Sequence, residues 1–167
     1  MEGLFESFQK ARAADRKERL VRQICTELTI HTMIEEEIFY PACTGEIEDD
    51  SIGERYVEHD GAKILISELL NSDAGNEFYD AKVKVLSEMI EHHVKEEEQR
   101  SEGMFVQAKN AGLDMNELGE RMMQRKQELV DQFDDGDDLP TAERRSYTGH
   151  ELQQDKPIDG EVVNDAA

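Results

Sequence analysis

The stretch that decides the fold runs from Ile30 to Pro41 and reads IHTMIEEEIFYP. It places His31 and Glu35 four residues apart inside an otherwise apolar helical pattern. On an α-helix, residues i and i+4 lie on the same face, with Cβ atoms roughly 5–6 Å apart. The two side chains can therefore bind one metal ion together, although a single pair of this kind is common on helix surfaces.

A second copy of the pair makes a metal site the stronger interpretation. The stretch EHHVKEEE, residues 91–98, repeats the spacing with His93 and Glu97. A third histidine, His59, lies between the two copies, just ahead of another apolar helical series. Helices that each carry a histidine on or beside the buried stripe can assemble a metal site in the core of a bundle. The alternative is that these are satisfied core histidines, because a single buried histidine more often has that role.

Composition and charge limit the classes of function. The chain has 167 residues, no tryptophan, three prolines and 35% charged residues, which favours one soluble, helical domain. Its formal net charge of −21 argues against nucleic acid or an anionic membrane as a partner, because both would repel it. No apolar run approaches the roughly 20 residues that span a bilayer, and no signal peptide is recognisable, so a cytoplasmic location is expected. Cys25 and Cys43 lack metal or disulfide spacing, and Cys25 is expected in the core.

Hydrophobic periodicity predicts helices followed by an acidic tail. The predicted helices cover about residues 3–14, 15–41, 52–70, 78–108 and 114–130. Pro41 is expected to end or bend the second helix, and Gly103 can interrupt the fourth. Asp15 and Asp114 are predicted to cap the second and fifth helices. The predicted domain spans residues 1–130, and residues 131–167 form a largely disordered tail.

Three motifs, in the same order along the chain, resemble the bacterial hemerythrin-like domains, also called HHE cation-binding domains. They are HTMIEEEIFYP at 31–41, EHD at 58–60 and HHVKEEE at 92–98, and the likeness covers roughly residues 3–130. The resemblance implies an all-α, antiparallel up-down four-helix bundle. It also implies that non-haem iron, commonly a carboxylate-bridged di-iron centre, is held between the helices.

The resemblance also implies which side chains bind the metal. Carried over position by position, it gives the ligands His31, Glu35, His59, His93 and Glu97. The two glutamates are the implied bridging carboxylates. Imidazole and carboxylate ligands suit iron, with manganese and zinc as permitted substitutes. Tyr40 or Tyr56 is a candidate hydrogen-bond donor to the site.

Two positions depart from the family pattern. The family's first helix usually carries an Asp-His pair near its start, and this chain opens with the segment that follows the pair. We therefore expect a truncated first helix, through either a misplaced start codon or a true loss, and a second copy of the chain could cover the groove in a homodimer. Lys63 stands where oxygen-carrying hemerythrins place another histidine, and a cation there is a poor neighbour for iron unless it turns away to solvent. The reduced ligand set predicts one firmly bound ion and a second bound weakly or through water.

The remaining histidines and several glutamates are interpreted as peripheral. His92 and Glu96 have the same four-residue spacing as His93 and Glu97. The apolar stripe passes closer to His93, so His92 is expected to face solvent. His150 lies alone in the tail and has no predicted metal role. The glutamates interpreted as solvated faces or weak surface pairs are Glu36, Glu37, Glu96 and Glu98.

The predicted function is that of a non-haem iron-binding, hemerythrin-like protein that binds or senses O2, NO or related oxidants, or buffers iron. One alternative is a di-iron oxidase or peroxidase-like enzyme, although no substrate pocket is recognisable. Another is a helical structural or interaction module with a degenerate metal site. The sequence leaves enzymatic activity undecided and favours its absence.

Overall fold

The computed structural model describes residues 2–134, 139–140 and 144–146, and every regular element in these ranges is helical. The elements are α1 (Glu2–Lys10), α2 (Ala14–Ile34), a π turn (Glu35–Phe39), α3 (Tyr40–Cys43), α4 (Asp49–Leu70), α5 (Tyr79–Glu97), α6 (Met104–Asn110) and α7 (Met115–Asp134). None of these helices is both long and apolar enough to cross a lipid bilayer. The predicted all-α class is confirmed. Most of the predicted disordered tail lies outside the described residues.

One helical stretch carries the chain from α2 through the π turn into α3. α2 ends at Ile34, and the next five residues have π geometry. Pro41 lies in the first turn of α3, where a proline is tolerated inside a helix start. The helix was predicted to end or bend at this proline. It does not end there, because helical backbone continues to Cys43. The departure from α geometry comes before the proline, at the residues of the metal-binding motif.

The two predicted N-caps have different outcomes. Asp114 accepts hydrogen bonds at Oδ1 from two backbone N–H groups at the start of α7, so this cap is confirmed. Asp15 does not cap α2, because the cap position is Ala13 and no side chain bonds to it. The Asp15 carboxylate instead accepts a hydrogen bond from Arg19 one turn later.

Two apolar clusters pack above and below a band of buried polar side chains. The first joins α1, α2, α4 and α5, and it includes Cys25, as predicted. Its buried members are Phe5, Phe8, Val21, Ile24, Cys25, Leu28, Ala62, Ile66, Leu69, Tyr79, Val83, Leu86 and Ile90. The second joins the π turn, α3, α4, α6 and α7 through Phe39, Tyr40, Cys43, Ile52, Met104, Ala108 and Leu118. Along each long helix, the candidate ligands fall between the two clusters.

α7 packs along α2 beside this polar band. Leu129 is fully buried against Ile30 and Ile34. At the π turn, Arg125 donates to the Glu37 carboxylate at 2.7 Å. The last predicted helix is therefore part of the folded body.

The predicted fourth helix is divided in two. α5 ends at Glu97, and α6 begins at Met104 after an irregular turn. A Cβ atom at Gly103 would lie 2.5 Å from the carbonyl oxygens of Glu97 and Gln99. Only glycine permits so close a backbone approach, and the predicted continuous helix to residue 108 is wrong for this reason.

Candidate metal centre

The candidate ligands from three parts of the chain meet at one carboxylate oxygen. Glu35 Oε2 lies 3.3 Å from Nε2 of His31 and 3.3 Å from Nε2 of His59. It lies 3.6 Å from Nε2 of His93. One ligand atom from each of these four residues lies within 4.8 Å of the other three. The fold therefore brings together side chains that are up to 62 positions apart in sequence.

The chemistry of this group fits a metal ion. Ligand atoms bound at about 2.1 Å in octahedral geometry lie about 3 Å from their neighbours, which is close to the separations seen here. The buried Nε2 atom of His31 has no hydrogen-bond partner among the described residues. Burial lowers the pKa of His31, so its imidazole stays neutral and keeps a lone pair for a metal. Three imidazoles and a carboxylate form a donor set suited to iron.

Glu97, the fifth candidate, lies beside this group and is not a member of it. Its Oε1 is 3.5 Å from His93 Nε2 and accepts a 3.0 Å hydrogen bond from the Tyr40 hydroxyl. Burial and the nearby Glu35 carboxylate raise the pKa of Glu97. Burial also opposes the charge of Glu35, but hydrogen bonds from His59 and His93 outweigh it and lower the pKa of Glu35. The two carboxylates therefore differ in how readily they take a proton.

Tyr40 contributes a hydroxyl group to the centre. Its oxygen lies 3.0 Å from Glu97 Oε1, 3.3 Å from Glu35 Oε2 and 3.1 Å from His59 Nε2. The side chain is fully buried, and burial followed by the two carboxylates raises the pKa of its phenol. The π turn explains the position, because the Tyr40 N–H bonds to the Glu35 carbonyl five residues earlier and aligns the two side chains. Tyr56, the other candidate donor, contacts the Tyr40 ring edge-on.

Two histidines of the centre are oriented by outer carboxylates. His59 Nδ1 lies 3.0 Å from Glu36 Oε1, and His93 Nδ1 lies 2.8 Å from Glu58 Oε2. An imidazole that donates its Nδ1–H to a carboxylate keeps the lone pair on Nε2, which here faces the centre. The sequence interpretation missed both roles. Glu36 was expected to face solvent, and Glu58 was not singled out.

Each outer carboxylate is also bonded to a cation. Lys63 Nζ lies 2.6 Å from Glu36 Oε1, and Arg55 donates to Glu58 Oε2 at 2.7 Å. Lys63 is 7% exposed, so it does not turn away to solvent, and its charge is instead paired with Glu36. Burial opposes ionisation of Glu36, but hydrogen bonds from His59 and then Lys63 lower its pKa to about 2. The lysine therefore supports a ligand instead of competing with the metal.

The model of the hemerythrin HHE cation-binding domain matches residues 1–104. The chain belongs to this family. Comparison with curated proteins and with solved structures finds no match. The matched region of this hemerythrin-like chain contains all five candidate ligands and both outer carboxylates, and α7 lies beyond it.

A second group of potential metal ligands lies on the surface of the hemerythrin domain. Glu58, His92 and Glu96 offer ligand atoms within 4.8 Å of one another. However, the Arg55 guanidinium donates to both carboxylates, and its positive charge would repel a metal ion bound there. His92 is exposed, as predicted, and Glu96 is half-buried and paired with Arg55. His150 lies outside the described residues.

Proposed function

We propose that this protein is a non-haem iron-binding hemerythrin that binds or senses O2, NO or related oxidants, or buffers iron. The observation that carries the proposal is the approach of three imidazoles to Glu35 Oε2, with the Nε2 of His31 left without a hydrogen-bond partner among the described residues. Such a set of imidazole nitrogens beside a carboxylate oxygen is matched to a divalent or trivalent cation. The cytoplasmic location and the homodimer stay predictions.

We place the centre in an antiparallel up-down four-helix bundle of α1, α2, α4 and α5, within a domain over residues 1–130. Side-chain contacts support these directions, because residue numbers rise along one helix while they fall along its neighbour. Glu18 of α2 accepts from the backbone N–H of Ala74, just after α4, and Glu36 of the π turn pairs with Lys63 of α4. The contacts between α4 and α5 are Glu68–Lys82 and Arg55–Glu96. A bundle of this kind directs facing side chains into a shared interior site.

The protein's residues have separate tasks in this proposal. Bound iron supplies the affinity for O2, NO and oxidants. The imidazoles and Glu35 bind the ion, and Glu97 adds a carboxylate for a second or weaker contact. The Tyr40 hydroxyl lies among the ligand atoms, where it can donate a hydrogen bond to a small bound molecule. The His31 side chain is 24% exposed, against 1% for His59 and 2% for His93, so we assign small-molecule access to the His31 side.

Metal analysis of matched histidine variants tests the proposal. The full chain is produced under iron-replete conditions, and its iron content and visible absorption spectrum are measured beside those of His93→Ala and His92→Ala. We expect iron in the natural chain and in His92→Ala, because His92 is exposed. We expect iron to be largely lost from His93→Ala, whose side chain is 2% exposed within the centre.

The same samples distinguish the rival functions. Iron that binds and changes its spectrum on exposure to O2 or NO supports the small-molecule role, and iron without such a change favours buffering. A natural chain that binds no iron, with equal melting temperatures with and without added metal, would contradict the proposal and favour a degenerate site. The melting temperature is informative because ligand at 100 times its Kd stabilises a fold by about 2.7 kcal/mol.

A further inference from the structure

Arg145 and Ser146 lie against the outer side of the centre, although they follow the family-matched region by some 40 positions. Arg145 donates to Glu36 Oε2 at 2.5 Å. The backbone N–H and the hydroxyl of Ser146 both donate to Asp60 Oδ2, at 2.6 and 2.8 Å. The two residues therefore bind two carboxylates that are next to the candidate ligands in sequence.

Further contacts fix this segment on the folded body. The Arg145 guanidinium lies over the Tyr56 ring, 4.9 Å from its centroid. In such a cation–π contact the negative face of the ring attracts the guanidinium. Leu139, a few residues earlier, packs against the main apolar cluster. Polar, aromatic and apolar contacts thus hold the same short segment.

Glu36 connects Arg145 to the centre. Its Oε1 is within hydrogen-bond distance of His59 Nδ1 and Lys63 Nζ, and its Oε2 accepts from Arg145. Both oxygens are therefore engaged, and the carboxylate cannot rotate without breaking a charged hydrogen bond. A carboxylate fixed in this way fixes the ring that donates to it.

Asp60 depends on the same segment. It is fully buried, and its Oδ1 has no hydrogen bond among the described residues, with Lys63 Nζ 3.6 Å away. Its Oδ2 receives both donors of Ser146. An ionised carboxylate buried without donors is strongly unfavourable, so the fold gains when Ser146 lies there.

We propose that Arg145 is a positioning residue of the metal centre, which acts through Glu36 to orient His59 and to set metal affinity and reduction potential, and that Ser146 holds Arg145 in place through Asp60. This inference rests on the proposed iron-binding function. Outer partners of metal-binding histidines typically change metal affinity 10- to 100-fold when removed. The positive charge of Arg145 also disfavours the more highly charged oxidised ion, so its removal should lower the reduction potential.

The test compares Arg145→Ala with Arg144→Ala in the full chain. Arg144 is an exposed neighbour of the same charge, so its replacement controls for the change in net charge. Iron affinity is measured by chelator competition and reduction potential by spectroelectrochemistry. We expect iron binding 10- to 100-fold weaker and a lower potential in Arg145→Ala, with less than about threefold change in affinity for Arg144→Ala. Equal effects of the two variants would overturn the inference.

A second readout needs no metal. We measure the nuclear magnetic resonance signal of the His59 Nδ1–H proton in the metal-free natural chain and in the same variants. We expect protection of this proton from exchange with water in the natural chain and in Arg144→Ala, and its loss in Arg145→Ala and Ser146→Ala. Retained protection in both Arg145→Ala and Ser146→Ala overturns the inference even if iron binds, whereas absence of iron from the natural chain contradicts only the proposed function.

Discussion

At the scale of single residues, the same arrangement of contacts orients His59 and His93. Each lies within hydrogen-bond distance of a glutamate through Nδ1, and each glutamate is bonded to a cation. The cation keeps the glutamate ionised, and the ionised glutamate holds the proton on Nδ1. The Nε2 atoms consequently face the centre, where a neutral ring offers its lone pair to a metal ion. Among the described contacts, no carboxylate orients His31 through Nδ1 in this way, and its orientation depends on its helix.

Tyr40→Phe tests the hydroxyl of the centre while it keeps the buried ring. We expect the metal-free protein to lose about 1–3 kcal/mol of unfolding free energy, because buried carboxylates lose a donor. Urea unfolding, with the slope m compared between variants, measures the change. The matched control is Tyr56→Phe, whose hydroxyl makes no hydrogen bond among the described residues and whose loss should cost little. Equal losses in the two variants would remove the special role assigned to Tyr40.

At the scale of helices, two irregularities of the backbone position the centre. The π turn aligns the Tyr40 side chain with Glu35, and the irregular turn after Glu97 ends α5. Periodicity alone predicts neither feature, because both preserve the helical character of the flanking sequence. The π turn inserts an extra residue into an apolar pattern, and the end of α5 depends on the close approach of Gly103 to its backbone.

Gly103→Ala and Gly119→Ala form a matched pair of element-scale variants. A Cβ atom at Gly103 would lie 2.5 Å from two backbone oxygens, so we expect a loss of about 1–3 kcal/mol in unfolding free energy. At Gly119 in α7 nothing lies within 4 Å of the added Cβ, and alanine should stabilise the helix by up to about 1 kcal/mol. Thermal and urea unfolding measure both changes. A stabilising Gly103→Ala would mean that the turn tolerates a side chain.

At the scale of the whole molecule, metal binding and protonation compete for the same buried groups. Burial lowers the pKa of His93, but hydrogen bonds with Glu35 and Glu58 outweigh it and raise the pKa to about 9. A raised pKa in the folded state means that protonated His93 stabilises the metal-free fold. This stability is fully present below the unfolded pKa of 6.5 and is lost as the pH rises through about 9. A metal ion requires the opposite protonation state, since only neutral imidazole binds it.

The expected result is an opposite pH response of the metal-free and metal-loaded proteins. Between pH 6.5 and 9, the melting temperature of the metal-free protein should fall, because the stabilising proton on His93 is lost. The stabilisation by added zinc, chosen because it has no redox chemistry, should grow over the same interval. Calorimetry at the two pH values measures both trends, and His93→Ala should reduce both. A metal-free melting temperature that rises with pH would show that His93 is not protonated in the fold.

The sequence by itself determined the all-α class, the family and the paired spacing of His31 with Glu35 and His93 with Glu97. These features are local, because four-residue spacing and apolar periodicity follow from the geometry of one helix. The predictions on Tyr40 and His92 also used local pattern, and the structure places Tyr40 within the centre and His92 in solvent.

Only the tertiary structure decided what surrounds the ligands. Glu36 was interpreted as part of a solvated face and Lys63 as a poor neighbour for a metal, yet Glu36 meets both Lys63 and His59 because the π turn and α4 are packed with these faces together. Arg145 reaches Glu36 across 109 positions, a separation that no helical spacing encodes. Such contacts depend on how helices rotate against one another and where a distant segment returns. The candidate ligand pairs His31–Glu35 and His93–Glu97 could therefore be predicted from local spacing, while the groups that orient the histidines and set their charge required the folded chain.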